Sequence, residues 1–259
     1  MKFSIALAAL AAVASAAPQQ LRQRTPAERA IKGHRNHRVN KSNQKVKVAG
    51  LADGDDSSRS GTSTNWSGAV KHSSGVVRVQ GTITVPKVGT DGGKSGAAWV
   101  GIDGDSDCEQ ALLQTGIDFF SDGTFDAWWE WIPDDVQFFD NFNIAVGDQI
   151  YMEVDASSLS TGVAILENLT NGDKVTHNFK KGQTPSDLCE TDAEWIIEDY
   201  EASFADFGSI TFTNNSATGA DGDFTPAGAS IYNLQPEGSS HIYTDCRVDG
   251  DDVTCSYRG

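Results

Sequence analysis

Residues 76–85 read Val-Val-Arg-Val-Gln-Gly-Thr-Ile-Thr-Val, and the run stops at Pro86. Apolar and polar positions alternate, which is the pattern of a strand with one buried face. Similar short runs recur down the chain. Ala97 to Asp103, Ala111 to Phe119 and Ala127 to Ile132 each predict a strand. Asn143 to Val146 leads into a Gly147-Asp148 turn and a strand from Gln149 to Asp155. Gly162 to Asn168 and Lys174 to Phe179 flank Asn171-Gly172, which predicts a hairpin. Ile210 to Thr213, Ala229 to Leu234 and Val253 to Tyr257 complete the set. No long stretch has helical periodicity. Many short strands at this spacing predict one all-β domain, a sandwich or a barrel.

The stretch Ala193-Glu194-Trp195-Ile196-Ile197-Glu198-Asp199-Tyr200-Glu201 is the most informative one. As a strand it puts Glu194, Ile196, Glu198 and Tyr200 on one face and Trp195 and Ile197 on the other. It has a helical reading too. Thr191-x-x-Glu194 fits a capping box, and Glu194, Ile197, Glu198 and Glu201 fit helical spacing. The all-β setting favours the strand. A carboxylate beside apolar and aromatic groups has its proton affinity perturbed by desolvation and by like charge, as a general acid or base needs. Glu198 is the candidate for that role.

Period-two spacing gives other strands the same character. Trp99, Gly101 and Asp103 share a face, as do Leu112, Gln114, Gly116 and Asp118, and Asp126, Trp128 and Glu130. Together they would line a groove with carboxylates, one amide and indole rings. Several chemistries lack their signature. There is no HExxH and no Cys/His metal pattern, so no metal is expected. There is no GxSxG, and the paired Asp-Thr/Ser-Gly segments of an aspartic peptidase are missing.

Charge and cysteines place the chain. Lys2, the apolar run Phe3 to Val13 and Ala14-Ser15-Ala16 read as a secretory signal over residues 1–17, too short to span a membrane. Residues 18–59 carry few large apolar groups and cannot fold alone. Residues 1–50 hold ten Lys and Arg against one acid, a charge of +9, whereas residues 51–259 carry −25. Two readings fit this asymmetry, a disordered basic tail and, the favoured one, a basic propeptide docked on the acidic body. Asp53 to Thr64 makes a processing linker. An acidic body would repel phosphates, so nucleic acid is not an expected partner. Four cysteines in a secreted chain predict two disulfides. Cys246 and Cys255 flank Asp249-Gly250-Asp251 like a closed hairpin, which leaves Cys108 with Cys189.

The segments NWSGAV (65–70), AAWVGIDG (97–104), ALLQTGID (111–118), DAWWEWIP (126–133), ENLTNG (167–172) and AEWIIEDYE (193–201) resemble the glutamic endopeptidases, the eqolisins. The resemblance runs from about Asn65 to the C-terminus. It implies a lectin-like (concanavalin A-like) sandwich of two antiparallel sheets and a strand at 193–201, and it supports the Cys108–Cys189 pairing. It further implies a secreted, acid-active, pepstatin-insensitive enzyme that cleaves proteins and peptides without a cofactor. Carried over by motif, the catalytic dyad is Gln114 and Glu198. Trp66, Trp99, Asp103, Asp118 and Glu130 fall on positions around it. Tyr200 stands where the family often has Phe. The propeptide would serve as the enzyme's own inhibitor, and nothing suggests more than a monomer.

Two rivals use the same residues. A glycan-binding module would stack sugars on Trp66, Trp99 and Trp128. A glycoside hydrolase would pair Glu130 with Glu198. Neither accounts for Gln114 within ALLQTG. Glycosylation sequons stand at Asn65, Asn168 and Asn214.

Overall fold

The computed structural model describes residues 60–105 and 108–259. The signal-like segment and the basic arm lie outside these residues. The described chain folds into sixteen strands: β1 (Ser60–Ser63), β2 (Trp66–His72), β3 (Arg78–Thr84), β4 (Ser95–Ile102), β5 (Leu112–Phe120), β6 (Phe125–Ile132), β7 (Gln137–Phe138), β8 (Gln149–Ser158), β9 (Thr161–Asn168), β10 (Lys174–Phe179), β11 (Asp192–Glu198), β12 (Ser209–Gly219), β13 (Gly222–Phe224), β14 (Ser230–Leu234), β15 (Thr244–Asp249) and β16 (Asp252–Tyr257). They form two sheets. One runs β1-β14-β2-β11-β4-β5-β6-β7 and is called sheet A here. Sheet B runs β10-β9-β8-β3-β12-β16-β15, with β13 beside β12. Pairing between named strands is antiparallel except for β1 with β14. Among the described residues no helix is long and apolar enough to cross a membrane.

The core lies between the sheets. Ala98, Val100 and Ile102 of β4, Leu113 and Ile117 of β5, and Trp195 and Ile197 of β11 face Val79 and Ile83 of β3 and Met152 and Val154 of β8. Each large side chain buried there contributes about 1.5–3 kcal/mol. Trp195 also spans the layers: its Nε1 donates to the Gln80 carbonyl of β3 at 2.8 Å. The polar end of a buried indole is thereby satisfied. Sheet A carries a second apolar cluster on its outer face: Trp66, Val70, Ala97, Trp99, Leu112, Trp128, Ile132, Ile196 and Tyr232 of its strands, joined by Val136 and Tyr200 from beyond strand ends. Strands of sheet A are therefore buried on both faces, and β5 and β11 are buried throughout.

The two disulfides are Cys108–Cys189 and Cys246–Cys255, as expected. Cys246 and Cys255 are direct register partners across the β15–β16 hairpin. The β9–β10 hairpin also forms around Asn171-Gly172.

Three expectations change. Ser60–Ser63 belongs to a strand, so residues 60–63 are not linker: β1 runs parallel to β14. The strand at 193–201 ends at Glu198, and Tyr200 lies in the bend beyond it, buried all the same. The strand at 97–103 ends at Ile102. Asp103 follows with φ 70, so its side chain leaves the alternating pattern.

Candidate active site

Three register rows cross the outer face of sheet A. In the first, Glu194 lies opposite Val70 on one side and Gly101 on the other; Gly101 faces Gln114, and Gln114 faces Glu130. The second row reads Gly68, Ile196, Trp99, Gly116 and Trp128. The third reads Trp66, Glu198, Ala97, Asp118 and Asp126. Gln114 and Glu198 therefore sit on one face, on strands flanking β4. The β4 residues opposite them are glycine and alanine, and Trp99 lies between these two.

Glu198 is 1% exposed. Asn65 Nδ2 donates to its Oε1 at 3.1 Å, and Trp99 Nε1 donates to its Oε2 at 3.0 Å. Both neighbours offer protons and neither needs one, which suits a carboxylate, an acceptor only. Asn65 is held in turn: Ser63 Oγ donates to its Oδ1 at 3.4 Å, and its carbonyl accepts the Asp199 N–H at 2.9 Å. In the sequence Asn65 appears as a sequon and as the first residue of the NWSGAV segment, with no role at the site assigned to its side chain. It is 133 positions from its partner, and no local pattern marks the contact.

Gln114 donates from Nε2 to Glu130 Oε2 at 2.6 Å. The neighbouring carboxylate fixes which end of the amide is the nitrogen. The second Nε2 hydrogen remains to be given to another acceptor. Gln114 Oε1 is buried and has no protein donor.

Trp99 links the two residues. Its Nε1 reaches Glu198, while its Cζ3 lies 2.8 Å from where a Cβ on Gly101 would sit. That distance is too short for a real side chain, so only glycine allows the indole to lie flat along β4. Trp66 packs edge-on against it, with ring centroids 5.1 Å apart. Gly68 has a comparable reason: a Cβ there would stand 2.1 Å from the Trp195 carbonyl oxygen.

Trp66, Trp99, Gln114, Asp118, Glu130 and Glu198 thus share the outer face, and Tyr200 packs in its apolar cluster. Asp103 does not share it. Its Oδ2 accepts from the Cys189 and Glu190 N–H groups at 2.7 and 2.9 Å, and its Oδ1 from Thr191 N at 2.7 Å and Thr191 Oγ1 at 3.1 Å. The carboxylate anchors the segment that enters β11. Asp103 Oδ and the two sulfurs of the Cys108–Cys189 bridge lie close together, but disulfide sulfurs are not thiolate ligands.

Sequence reasoning also missed a polar network at the start of β11. His72 Nδ1 contacts Asp192, and its Nε2 is 3.7 Å from Asp105 Oδ2. Tyr232 donates to Asp105 at 3.0 Å. Burial pushes the Asp192 carboxyl up, opposed by His72. Burial pushes Glu194 well up, with Asp192, Asp103 and Asp105 adding to it.

An open cleft lined by Trp129, Trp131, His177 and Phe179 shares no residue with this constellation. Its Trp129 and His177 rings stack at 3.4 Å.

The Peptidase A4 family matches residues 64–257. Aspergillopepsin-2 of Aspergillus niger is 44% identical over 223 residues, 75% of this chain and 78% of that protein. Scytalidopepsin B of Scytalidium lignicola is 41% identical over 206 residues, with the same coverage of 75% and 78%. Among solved structures, scytalido-glutamic peptidase with a transition state analog inhibitor is similar at a TM-score of 0.70 and 39% identity, covering 75% of this chain and 98% of that one. Aspergilloglutamic peptidase from Aspergillus niger gives 0.59 and 47%, covering 64% and 99%.

Proposed function

This chain belongs to the Peptidase A4 family, a glutamic endopeptidase, and from that premise we propose that it cleaves proteins in acid by a Glu198/Gln114 dyad. The observation that carries the reading is the unequal setting of the two residues. Glu198 is a carboxylate between two neutral donors, and Gln114 is a neutral amide anchored through one hydrogen.

The chemistry follows from those settings. Glu198 takes a proton from a water held between it and Gln114, and the water's oxygen attacks the peptide carbonyl. The free Nε2 hydrogen of Gln114 is given to the oxyanion as it forms. One such donor is worth about 2.7–4 kcal/mol in enzymes of this logic. Protonated Glu198 then gives its proton to the leaving nitrogen, the C–N bond breaks, and the carboxylate returns. An amide partner suits acid: two close carboxyls would share a proton, whereas Gln114 leaves Glu198 free to ionise. Trp66, Trp99, Asp118, Glu130 and Tyr200 form the substrate-binding wall in this reading.

The enzyme is made as a secreted zymogen. Residues 1–17 direct secretion, and residues 18–59 cover the groove until acid releases them. Support comes from charge. Residues 18–59 hold ten Lys and Arg against four acids, a charge of +6, and the outer face holds Asp118 directly opposite Asp126, with Glu130 on the same strand as Asp126. Paired buried acids favour a cationic cover at neutral pH and lose that preference once protonated. The mature enzyme acts as a monomer.

The test is cleavage of an acid-denatured protein with pepstatin present, by processed wild type and by Gln114→Ala. We expect resistant cleavage, lowered about 100–1,000-fold in the variant. Cleavage unchanged in Gln114→Ala would remove the amide from the mechanism. Failure of the processed wild type to cleave at any pH would remove the acid-peptidase reading.

A further inference from the structure

Glu194 has no task in the chemistry above, although it is among the most completely buried acids of the chain, with 0% exposure. Neither of its oxygens has a hydrogen-bond partner. Its surroundings explain why. Donors at this end of β11 are already given to other carboxylates. Asp103 takes three backbone N–H groups and the Thr191 hydroxyl. Asp105 takes the Tyr232 hydroxyl. Asp192 takes His72 and shares the single Thr191 hydroxyl hydrogen with Asp103. His72 is the cation of the group when protonated, and Asp192 and Asp105 hold it. The side chain opposite Glu194 on β2 is Val70, and Gly101 opposite it on β4 contributes none.

A buried carboxylate without a donor, facing three other acids, is far more costly than the neutral acid in the same place. Glu194 therefore keeps its proton while ordinary carboxyls ionise. Its position makes that proton matter. Glu194 Oε2 lies 3.3 Å from the point above Gly101, where the six-membered ring of Trp99 also rests. The other end of the same indole holds Glu198.

We propose that Glu194 is a positioning residue that acts as a neutral acid: protonated, it packs beside the Trp99 indole over Gly101, and its ionisation displaces the indole that holds Glu198 and so sets the upper pH limit of the enzyme. The proposal rests on the Glu198/Gln114 reading for its effect on activity, but not for its effect on stability.

The sign follows from linkage. A carboxyl whose proton affinity is higher folded than unfolded gives stability that is present below the unfolded value and lost as pH rises through the folded one. Loss on the alkaline side is therefore expected.

The decisive variant is Glu194→Gln, which resembles the protonated acid in shape and cannot ionise. Processed wild type and variant are compared by kcat/KM against pH and by melting temperature against pH. We expect the two to match within a few-fold in acid. One unit above the upper half-activity pH, a single titration leaves wild type about a tenth of its activity, and the variant should exceed it about tenfold. The fall in melting temperature towards neutral pH should shrink as well. A folded variant with the wild-type upper limb and the wild-type melting profile would overturn the proposal. So would one that melts normally yet is inactive in acid, because the carboxyl itself would then be needed. If the variant does not fold, carboxyl-labelled glutamate in wild type decides by NMR. One glutamate must remain protonated when the others have ionised, and its absence refutes the idea. The melting profiles hold whether or not the dyad assignment survives.

Discussion

Asn65→Leu tests whether the Asn65 donor keeps Glu198 ionised in acid, as the proposed dyad requires. The side chains are similar in size, so the substitution removes the donor to Oε1 while leaving the Trp99 donor to Oε2. A hydrogen bond to a charged group contributes about 1.5–3 kcal/mol. That bond favours the carboxylate over the acid, and about 1.36 kcal/mol corresponds to one pH unit. Losing it should move the acid limb of kcat/KM upward by about 1–2 units. At the wild type's lower half-activity pH the variant should be about 5–50-fold slower, with near-normal rates well above it. The assay is cleavage of an acid-denatured protein across pH with pepstatin present, with folding checked by melting. A limb that stays in place in a folded variant would mean that Glu198 is not the group titrating there.

Gly101→Ala places a Cβ 2.8 Å from Trp99 Cζ3 and 2.9 Å from Leu112 Cδ1. It should cost about 1–3 kcal/mol by overpacking and should lower kcat by displacing the indole, read from melting and turnover together. Asp103→Ala leaves the backbone N–H groups of Cys189, Glu190 and Thr191 without their acceptor, while the Thr191 hydroxyl can still donate to Asp192. We expect a loss on the order of 3 kcal/mol, or about 6–12 °C in melting temperature. An N-linked glycan, where one is attached, should map to Asn214 by mass spectrometry. That residue is exposed in a bulge of β12 at φ 52, whereas Asn168 is fully buried and donates to the Asn143 carbonyl and Asp148. A glycan on Asn168 would contradict the fold.

The outer face of sheet A was legible because polar and aromatic residues alternate with core residues on β4, β5, β6 and β11, and a period of two survives burial on both faces. The same rule failed one residue past the end of β4. Alternation put Asp103 in the groove, but its positive φ turns it towards 189–191. Tyr200 was extrapolated beyond the end of β11 in the same way, yet it packs on the intended cluster. Some strands left no signal. β1 reads Ser-Gly-Thr-Ser, and its pairing with β14 comes from the far end of the chain. β2 carries a glycine and three polar residues among seven, yet it is central in its sheet. β15 is an edge strand whose charges, Asp245, Arg247 and Asp249, blunt the edge and mask its alternation, so that it was legible only as the Cys246 arm of a disulfide-closed hairpin. The partners of the site residues were the least legible. Asn65 meets Glu198, and His72 meets Asp192, only through register between strands more than a hundred residues apart. The sequence marked Glu194 as one acid among four; its isolation depends on where the donors of three other segments go.

The claim everything else depends on is that Glu198, and not another acid of β11, is the base. The direct measurement is the acid cleavage rate of processed Glu198→Gln beside processed wild type, with pepstatin present and melting curves for both. We expect a folded variant slower by at least about 1,000-fold, as for removal of a principal catalytic group. A folded Glu198→Gln that cleaves within about tenfold of wild type would contradict that claim and assign the base to another carboxylate.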